Sequence, residues 1–121
     1  MEKLHIHRHA DRTPLQLYPN DPFKNITFWP QGFGQLSNNG KARMFNLGVH
    51  LRNEYKSFLA NNPIEVYARS SQADRCINSV QLLLAGLYPP KNEFIWNAHF
   101  NWQPIAVYSK PINEDGVKTN N

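Results

Sequence analysis

Ile64-Glu65-Val66-Tyr67-Ala68-Arg69-Ser70-Ser71 runs directly into Gln72-Ala73-Asp74-Arg75-Cys76-Ile77, and the hydrophobic period changes between the two halves. Ile64, Val66 and Ala68 alternate, with Tyr67 on the opposite face, which is the period of a strand over Ile64 to Arg69. Ala73, Cys76, Ile77, Val80, Leu83, Leu84 and Leu87 then recur at spacings of three and four, which is the stripe of a core-facing helix. Ser70 and Ser71 stand at the change and predict a helix cap, with Asp74 three residues after Ser71 in a box-like arrangement. Pro89-Pro90 stops the helix, because proline cannot continue it. A strand that feeds a helix is half of a parallel crossover unit.

The flanking sequence repeats this grammar. Ser37 predicts an N-cap for a helix over Asn38 to Leu59, with Met44, Leu47, Leu51, Tyr55 and Phe58 on one apolar face. Asn61-Asn62-Pro63 ends that helix. Leu4 to Arg8 forms a short first strand in this reading. From Thr13 to Leu36 the chain is irregular, broken by Pro19, Pro22, Pro30, Gly32 and Gly34, and its aromatics Tyr18, Phe23, Phe28, Trp29 and Phe33 predict a packed loop. Phe94 to Trp96 and Ile105 to Tyr108 read as short extended segments, and the chain turns polar after Pro111. The order strand, loop, helix, strand, helix predicts an α/β fold on a parallel sheet, with ligands bound beyond the carboxyl ends of the strands.

A chain of 121 residues, 40% hydrophobic and 18% charged, suits one globular domain. No segment approaches the roughly 20 apolar residues of a membrane-spanning helix, and Met1-Glu2-Lys3-Leu4-His5 lacks the apolar core of a signal peptide. A cytosolic protein, or a natural N-terminus longer than this one, is expected. The net charge of +4 suits an anionic ligand, but the basic residues are scattered and no helix carries a continuous basic face, so nucleic acid is not the expected partner. Cys76, the one cysteine, falls in the apolar helical run and reads as a small core residue.

The chemistry concentrates in Arg8-His9-Ala10-Asp11-Arg12-Thr13-Pro14. Two guanidinium forks, each able to donate parallel hydrogen bonds to two phosphate oxygens, flank an imidazole. Arg8 and His9 end the first expected strand and Arg69 ends the second. If those strands are parallel neighbours, Arg8, Arg12 and Arg69 converge on one spot with His9 among them. Phosphoryl transfer spreads charge over three equatorial oxygens, so three arginines hold the group while a neutral His9 attacks phosphorus. Asp11 is expected to brace the arginines and Asp74 to orient Arg69 or Arg75. The leaving alkoxide needs a proton from a carboxylic acid, and neither aspartate is well placed to give it.

With these residues in view, the sequence resembles the histidine acid phosphatase family, in the branch of the prostatic, lysosomal and insect venom acid phosphatases. Arg8-His9-Ala10-Asp11-Arg12-Thr13-Pro14 matches the signature Arg-His-Gly-x-Arg-x-Pro. Trp29-Pro30-Gln31-Gly32-Phe33-Gly34-Gln35-Leu36 with Asn39-Gly40, Tyr67 through Ser71 with Asp74-Arg75, Trp96-Asn97 and Trp102-Gln103-Pro104-Ile105 continue the likeness in register. The resemblance implies a phosphoglycerate mutase-like histidine phosphatase fold, of which residues 1–121 are the N-terminal part, and an acid phosphatase acting on phosphate monoesters without cofactor or metal. It implies that His9 is the nucleophile and Arg8, Arg12 and Arg69 the phosphate ligands. Many members are secreted or lysosomal, glycosylated and dimeric. By that likeness Asn25, in Asn25-Ile26-Thr27, is a glycosylation candidate, and a homodimer is a possible state of the full-length form.

Three departures qualify the likeness. Ala10 replaces the usual glycine, the chain begins almost on the motif, and no His-Asp dipeptide is present, although that pair supplies the family's proton donor. The expected form is a fragment or truncated isoform lacking the proton-donor segment, with very low activity alone. Two alternatives are a catalytically dead phosphate-binding pseudoenzyme and a metal-dependent hydrolase using the alternating His5, His7 and His9 as ligands.

Overall fold

The computed structural model describes residues 5–16, 19–22, 25 and 28–111. Two helices and a two-stranded parallel sheet carry it: α1 (Asn38–Glu54), β1 (Ala68–Arg69), α2 (Asp74–Leu87) and β2 (Val107–Tyr108). β1 and β2 pair Ala68 with Val107 and Arg69 with Tyr108. The Ser70 N–H extends the ladder by donating to the Tyr108 carbonyl at 2.9 Å, and the Tyr67 and Tyr108 rings stack at 5.3 Å. No helix among the described residues is long and apolar enough to cross a membrane.

The core lies between α2 and the sheet. Ala68, Leu84 and Tyr88 are buried, with Val66, Val80 and Ile105 among the residues packed on them. Tyr88 fills the centre: its hydroxyl donates to Glu65 Oε1 at 3.0 Å and its carbonyl accepts from Gln103 Nε2 at 3.0 Å. Burial, reinforced by that carboxylate, pushes its phenol well above the ordinary tyrosine range. Arg52 lies over the ring and donates from Nε to the Leu87 carbonyl at 2.6 Å, capping the C-terminal end of α2.

The two helices cross at glycine. A Cβ on Gly48 would fall on the Leu83 carbonyl oxygen, and one on Gly86 would fall on the Phe45 carbonyl oxygen. The buried positions of α1 are Gly40, Met44 and Gly48, while Leu47 and Leu51 are half-buried and Phe58 is exposed. The closest contact between the helices is therefore at Gly48 and Gly86, beside the larger apolar face that the spacing predicts.

Several boundaries differ from expectation, each for a local reason. The first expected strand begins at Leu4, which lies outside the described residues, and residues 5–8 form no strand; Ile6 is 80% exposed. The parallel neighbour of β1 among the described residues is β2. The second expected strand shrinks to Ala68–Arg69, because Pro63–Glu65 closes a 3-10 turn capped by Asn62 and leaves Ile64 85% exposed. Helix α1 stops at Glu54, and Arg52 holds the carbonyls of Leu59 and Ala60 in the turn that follows. Ser71 does not cap α2: the ladder extends to Ser70, and the helix starts only at Asp74, behind Ala73, which makes no side-chain cap bond and leaves Ser71 two residues short of the cap position. Asn92–Phe94 is a 3-10 turn, so that the extended segment expected at Phe94 to Trp96 does not form a strand. Tyr18, Phe23 and the polar end from residue 112 onward lie outside the described residues.

Gly48→Ala is expected to destabilise the chain by about 1–3 kcal/mol through overpacking, although alanine is the better helix former by about 1 kcal/mol. Asn46→Ala, on the exposed side of α1, is expected to change stability by about 0.5 kcal/mol or less. Denaturant unfolding of the two variants measures the difference.

Candidate functional site

Arg8 to Pro14 has no helix or strand of its own, so its shape is imposed from outside. Three sets of partners hold it. The Ala10 N–H donates to Ser79 Oγ of α2 at 3.0 Å. The Asp11 carbonyl accepts from the Ser37 N–H at 2.9 Å, at the N-terminal end of α1, where Ser37 also caps the helix through Gly40 N–H. Gly40 packs so closely on the Asp11 backbone that a Cβ there would overlap it.

The third set is the stretch from Trp29 to Leu36, which folds back on the motif. Thr13 is buried; its N–H donates to the Gln35 carbonyl at 2.7 Å, and its hydroxyl donates to Gly32 at 2.6 Å and accepts from Gln35 N–H at 3.0 Å. Arg12 bridges Leu36 in antiparallel fashion, and the Gly34 N–H reaches the Pro14 carbonyl at 2.8 Å. This part of the irregular stretch is packed, though through Thr13 and Leu36 more than through its aromatics: Leu36 is among the most buried side chains described, while Trp29 and Phe33 are half-buried and Phe28 is exposed.

Within this frame His9 is half-buried, and its Nδ1 lies 2.7 Å from the Ala10 carbonyl oxygen. A carbonyl only accepts, so Nδ1 carries the proton and neutral His9 keeps its lone pair on Nε2. Nε2 is buried and has no hydrogen-bond partner among the described residues. Ala10 has negative φ, since Asn92 is the one described non-glycine residue with a positive value, so alanine in place of the family's glycine is unstrained.

The arginines are placed differently from one another. Arg8 is exposed. Arg12 is half-buried, donates from Nη1 to the Thr13 carbonyl at 3.1 Å and keeps a buried Nε without a partner among the described residues. Arg69 is exposed at the carboxyl end of β1 and borders an open cleft of about 600 Å³ lined also by His5, His7 and the apolar side chains of Leu51, Leu83 and Leu87. His9 does not line that cleft. Since residues 5–8 do not pair with β1, the strand pairing expected to bring Arg69 beside Arg8 and Arg12 is not present. The Asp11 carboxylate pairs with Arg43 Nη1 of α1 at 2.8 Å, an exposed contact. Asp74 occupies the first turn of α2 and is exposed. Asn25 is exposed, while Ile26 and Thr27 of its glycosylation triplet lie outside the described residues.

The alternating histidines do not assemble a metal site. Among the described residues no three histidine, cysteine or acidic groups gather around a common point. His5 and His7 face each other with ring centroids 5.3 Å apart, His7 Nδ1 lies 2.8 Å from the Arg8 carbonyl oxygen, and His9 is bound back to Ala10. Sequence reasoning anticipates Ser37 as a cap but misses its bond to Asp11; it includes Gly40 in the family likeness but misses its packing on Asp11, and it misses Ser79 altogether. A hydroxyl on the apolar stripe between Cys76 and Leu83 is the signal that points to Ser79.

Comparison with known proteins places these observations. Residues 3–117 match the model of the histidine phosphatase superfamily, branch 2. The chain is 43% identical to the prostatic acid phosphatase of Bos taurus over 112 residues, 91% of this chain and 29% of that protein. It is 44% identical to the lysosomal acid phosphatase of Homo sapiens over 112 residues, 91% of this chain and 26% of that protein. The chain thus spans less than a third of the length of these relatives.

Burial, and then the charge of His7, lower the pKa of His5 below 6.5. The unfolded chain binds the His5 proton more readily, so this stability contribution is complete above pH 6.5 and is lost as pH falls through the folded value. Histidine NMR titration is expected to place His5 below 6.5, and His7→Asn to move it part of the way back, because burial is the larger cause.

Proposed function

The chain belongs to branch 2 of the histidine phosphatase superfamily, and on that premise we propose that it is the N-terminal, phosphate-gripping part of the catalytic domain of an acid phosphatase that hydrolyses phosphate monoesters through a phosphohistidine on His9. The observation that carries this reading is the state of His9: Nδ1–H is committed to the Ala10 carbonyl, and Nε2 is buried without a partner among the described residues. A neutral imidazole with one nitrogen fixed as donor presents the other as a nucleophile.

The reaction follows from that nitrogen. Nε2 of His9 attacks phosphorus in line with the ester oxygen, the P–O bond to the leaving group breaks, and its electron pair goes to the alkoxide. Arg8, Arg12 and Arg69 bind the three equatorial oxygens, where charge is greatest in the transition state. The partnerless Nε of Arg12 supports its part in this clamp. In the proposal, Arg69 is brought to the group by sheet pairing of the intact protein. A carboxylic acid protonates the alkoxide. Asp11 is engaged with Arg43, so we place this acid outside residues 1–121. Water then attacks the phosphohistidine, releasing phosphate and restoring neutral His9.

No step requires a cofactor. A secreted or lysosomal location is the proposal that accords with the prostatic and lysosomal relatives, and it is the setting in which Asn25 carries a glycan. A homodimer of the intact protein belongs to the same proposal.

In rapid-quench experiments on the intact protein with a labelled phosphomonoester at acid pH, His9 is expected to carry the phosphoryl group. His9→Ala is expected to lower turnover by a factor on the order of 10⁴–10⁶, the range for a nucleophile that acts with its partners. Arg12→Ala is expected to lower kcat by roughly 10²–10³, as for a lost charge-stabilising donor. Phosphate binding without turnover in the unaltered protein would favour a pseudoenzyme, and label on another residue would contradict the role of His9.

A further inference from the structure

Ser79 lies in the middle of α2, on its apolar side, and is fully buried at 0% exposure. A serine hydroxyl offers one donor and two acceptor positions. The donor is already spent within the helix, on the Arg75 carbonyl at 2.7 Å. Its oxygen is therefore an acceptor with a fixed direction, and the Ala10 N–H meets it at 3.0 Å.

That N–H belongs to the peptide joining His9 to Ala10, so holding it fixes the backbone torsion through which His9 is presented. The His9 ring is held separately, through Nδ1 and the Ala10 carbonyl. Ser79 thus secures the backbone on one side of Ala10, and the carbonyl on its other side orients the imidazole. We propose that Ser79 is a positioning residue for His9, an inference that rests on the phosphatase reading for its catalytic meaning. Through the Ala10 peptide, Ser79 sets the position of Nε2 and, by keeping the Ala10 carbonyl in place, the tautomer that leaves Nε2 unprotonated.

At 0% exposure no solvent is at hand to replace the hydroxyl. Without it the part-buried Ala10 N–H loses its acceptor on α2, and the loop is free to shift away from the helix. In-line attack is sensitive to such displacements: a shift of roughly 1 Å can cost about a hundredfold in rate.

The test uses Ser79→Ala and Ser79→Cys in the intact protein, the second keeping the side chain's shape at a somewhat larger size with a weaker acceptor. Leu87→Val, in the same helix but away from the loop, controls for lost stability. Three readouts are taken: amide exchange at Ala10, the ¹⁵N shifts that report the His9 tautomer, and kcat and KM for p-nitrophenyl phosphate. In Ser79→Ala, faster exchange at Ala10, loss of the dominant Nδ1–H tautomer and a kcat lower by roughly tenfold to a hundredfold are expected, with KM little changed. Ser79→Cys is expected to lie between Ser79→Ala and the unaltered protein. Unchanged Ala10 exchange and His9 tautomer in Ser79→Ala would overturn the proposal. So would an activity loss no greater than that of Leu87→Val at matched folded fraction. If the unaltered protein turns over no phosphomonoester, the phosphatase reading fails, while exchange and tautomer still decide whether Ser79 positions His9.

Discussion

The hydrogen bonds donated and accepted by the backbone of Ala10, Asp11 and Thr13 are the constraint on which the candidate site depends. The motif loop contributes no ladder of its own, and a loop with unsatisfied buried peptide groups would not stay in place. Each anchor comes from a different direction: Ser79 on α2, Ser37 at the start of α1, and Gln35 on the returning stretch. The loop is thus as rigid as the relation between the two helices. That relation is set by the crossing at Gly48 and Gly86, where backbone meets backbone and leaves no room for adjustment by side chains. Packing far from His9 is in this way part of what holds His9.

The electrostatics follow the same logic. A site that is to receive a phosphate must keep its guanidinium groups from being neutralised by internal carboxylates. Asp11 sits between Arg8 and Arg12 in sequence, yet its carboxylate turns outward to Arg43 on α1. The aspartate thereby joins the motif to the helix. His9 is likewise tied by Nδ1 to a neutral carbonyl, which under the proposed function fixes its tautomer without adding negative charge beside the phosphoryl group.

What could be read in advance followed from how local each signal was. The stripe from Ala73 to Leu87 is a property of consecutive residues, and α2 forms where that periodicity places it. Arg8 to Pro14 and Arg69 stand out in the sequence as candidates because guanidinium and imidazole types are informative wherever they fold. The strands were legible only in part: Ala68–Arg69 and Val107–Tyr108 lie within segments expected to be extended, but their pairing was hidden, because a strand exists through its partner and residues 5–8 do not pair with β1 while Val107–Tyr108 does. The cap at Ser71 failed because the chain leaves the sheet only after Ser70 and α2 starts at Asp74, with Ala73 rather than Ser71 at the N-cap position. Ser79, Gly40 and Gly48 carry the site and the helix crossing, but their worth lies in what touches them, which composition and spacing do not encode.

The central claim is that the motif presents Nε2 of His9 to a phosphoryl group held by Arg8, Arg12 and Arg69. A crystal structure of the intact protein with vanadate, which mimics the five-coordinate phosphorus, tests it most directly. The account predicts vanadium bonded to Nε2 of His9, with Nδ1 still directed at the Ala10 carbonyl and the vanadate oxygens in contact with all three arginines. Vanadate bound elsewhere, or reached through Nδ1, would contradict it.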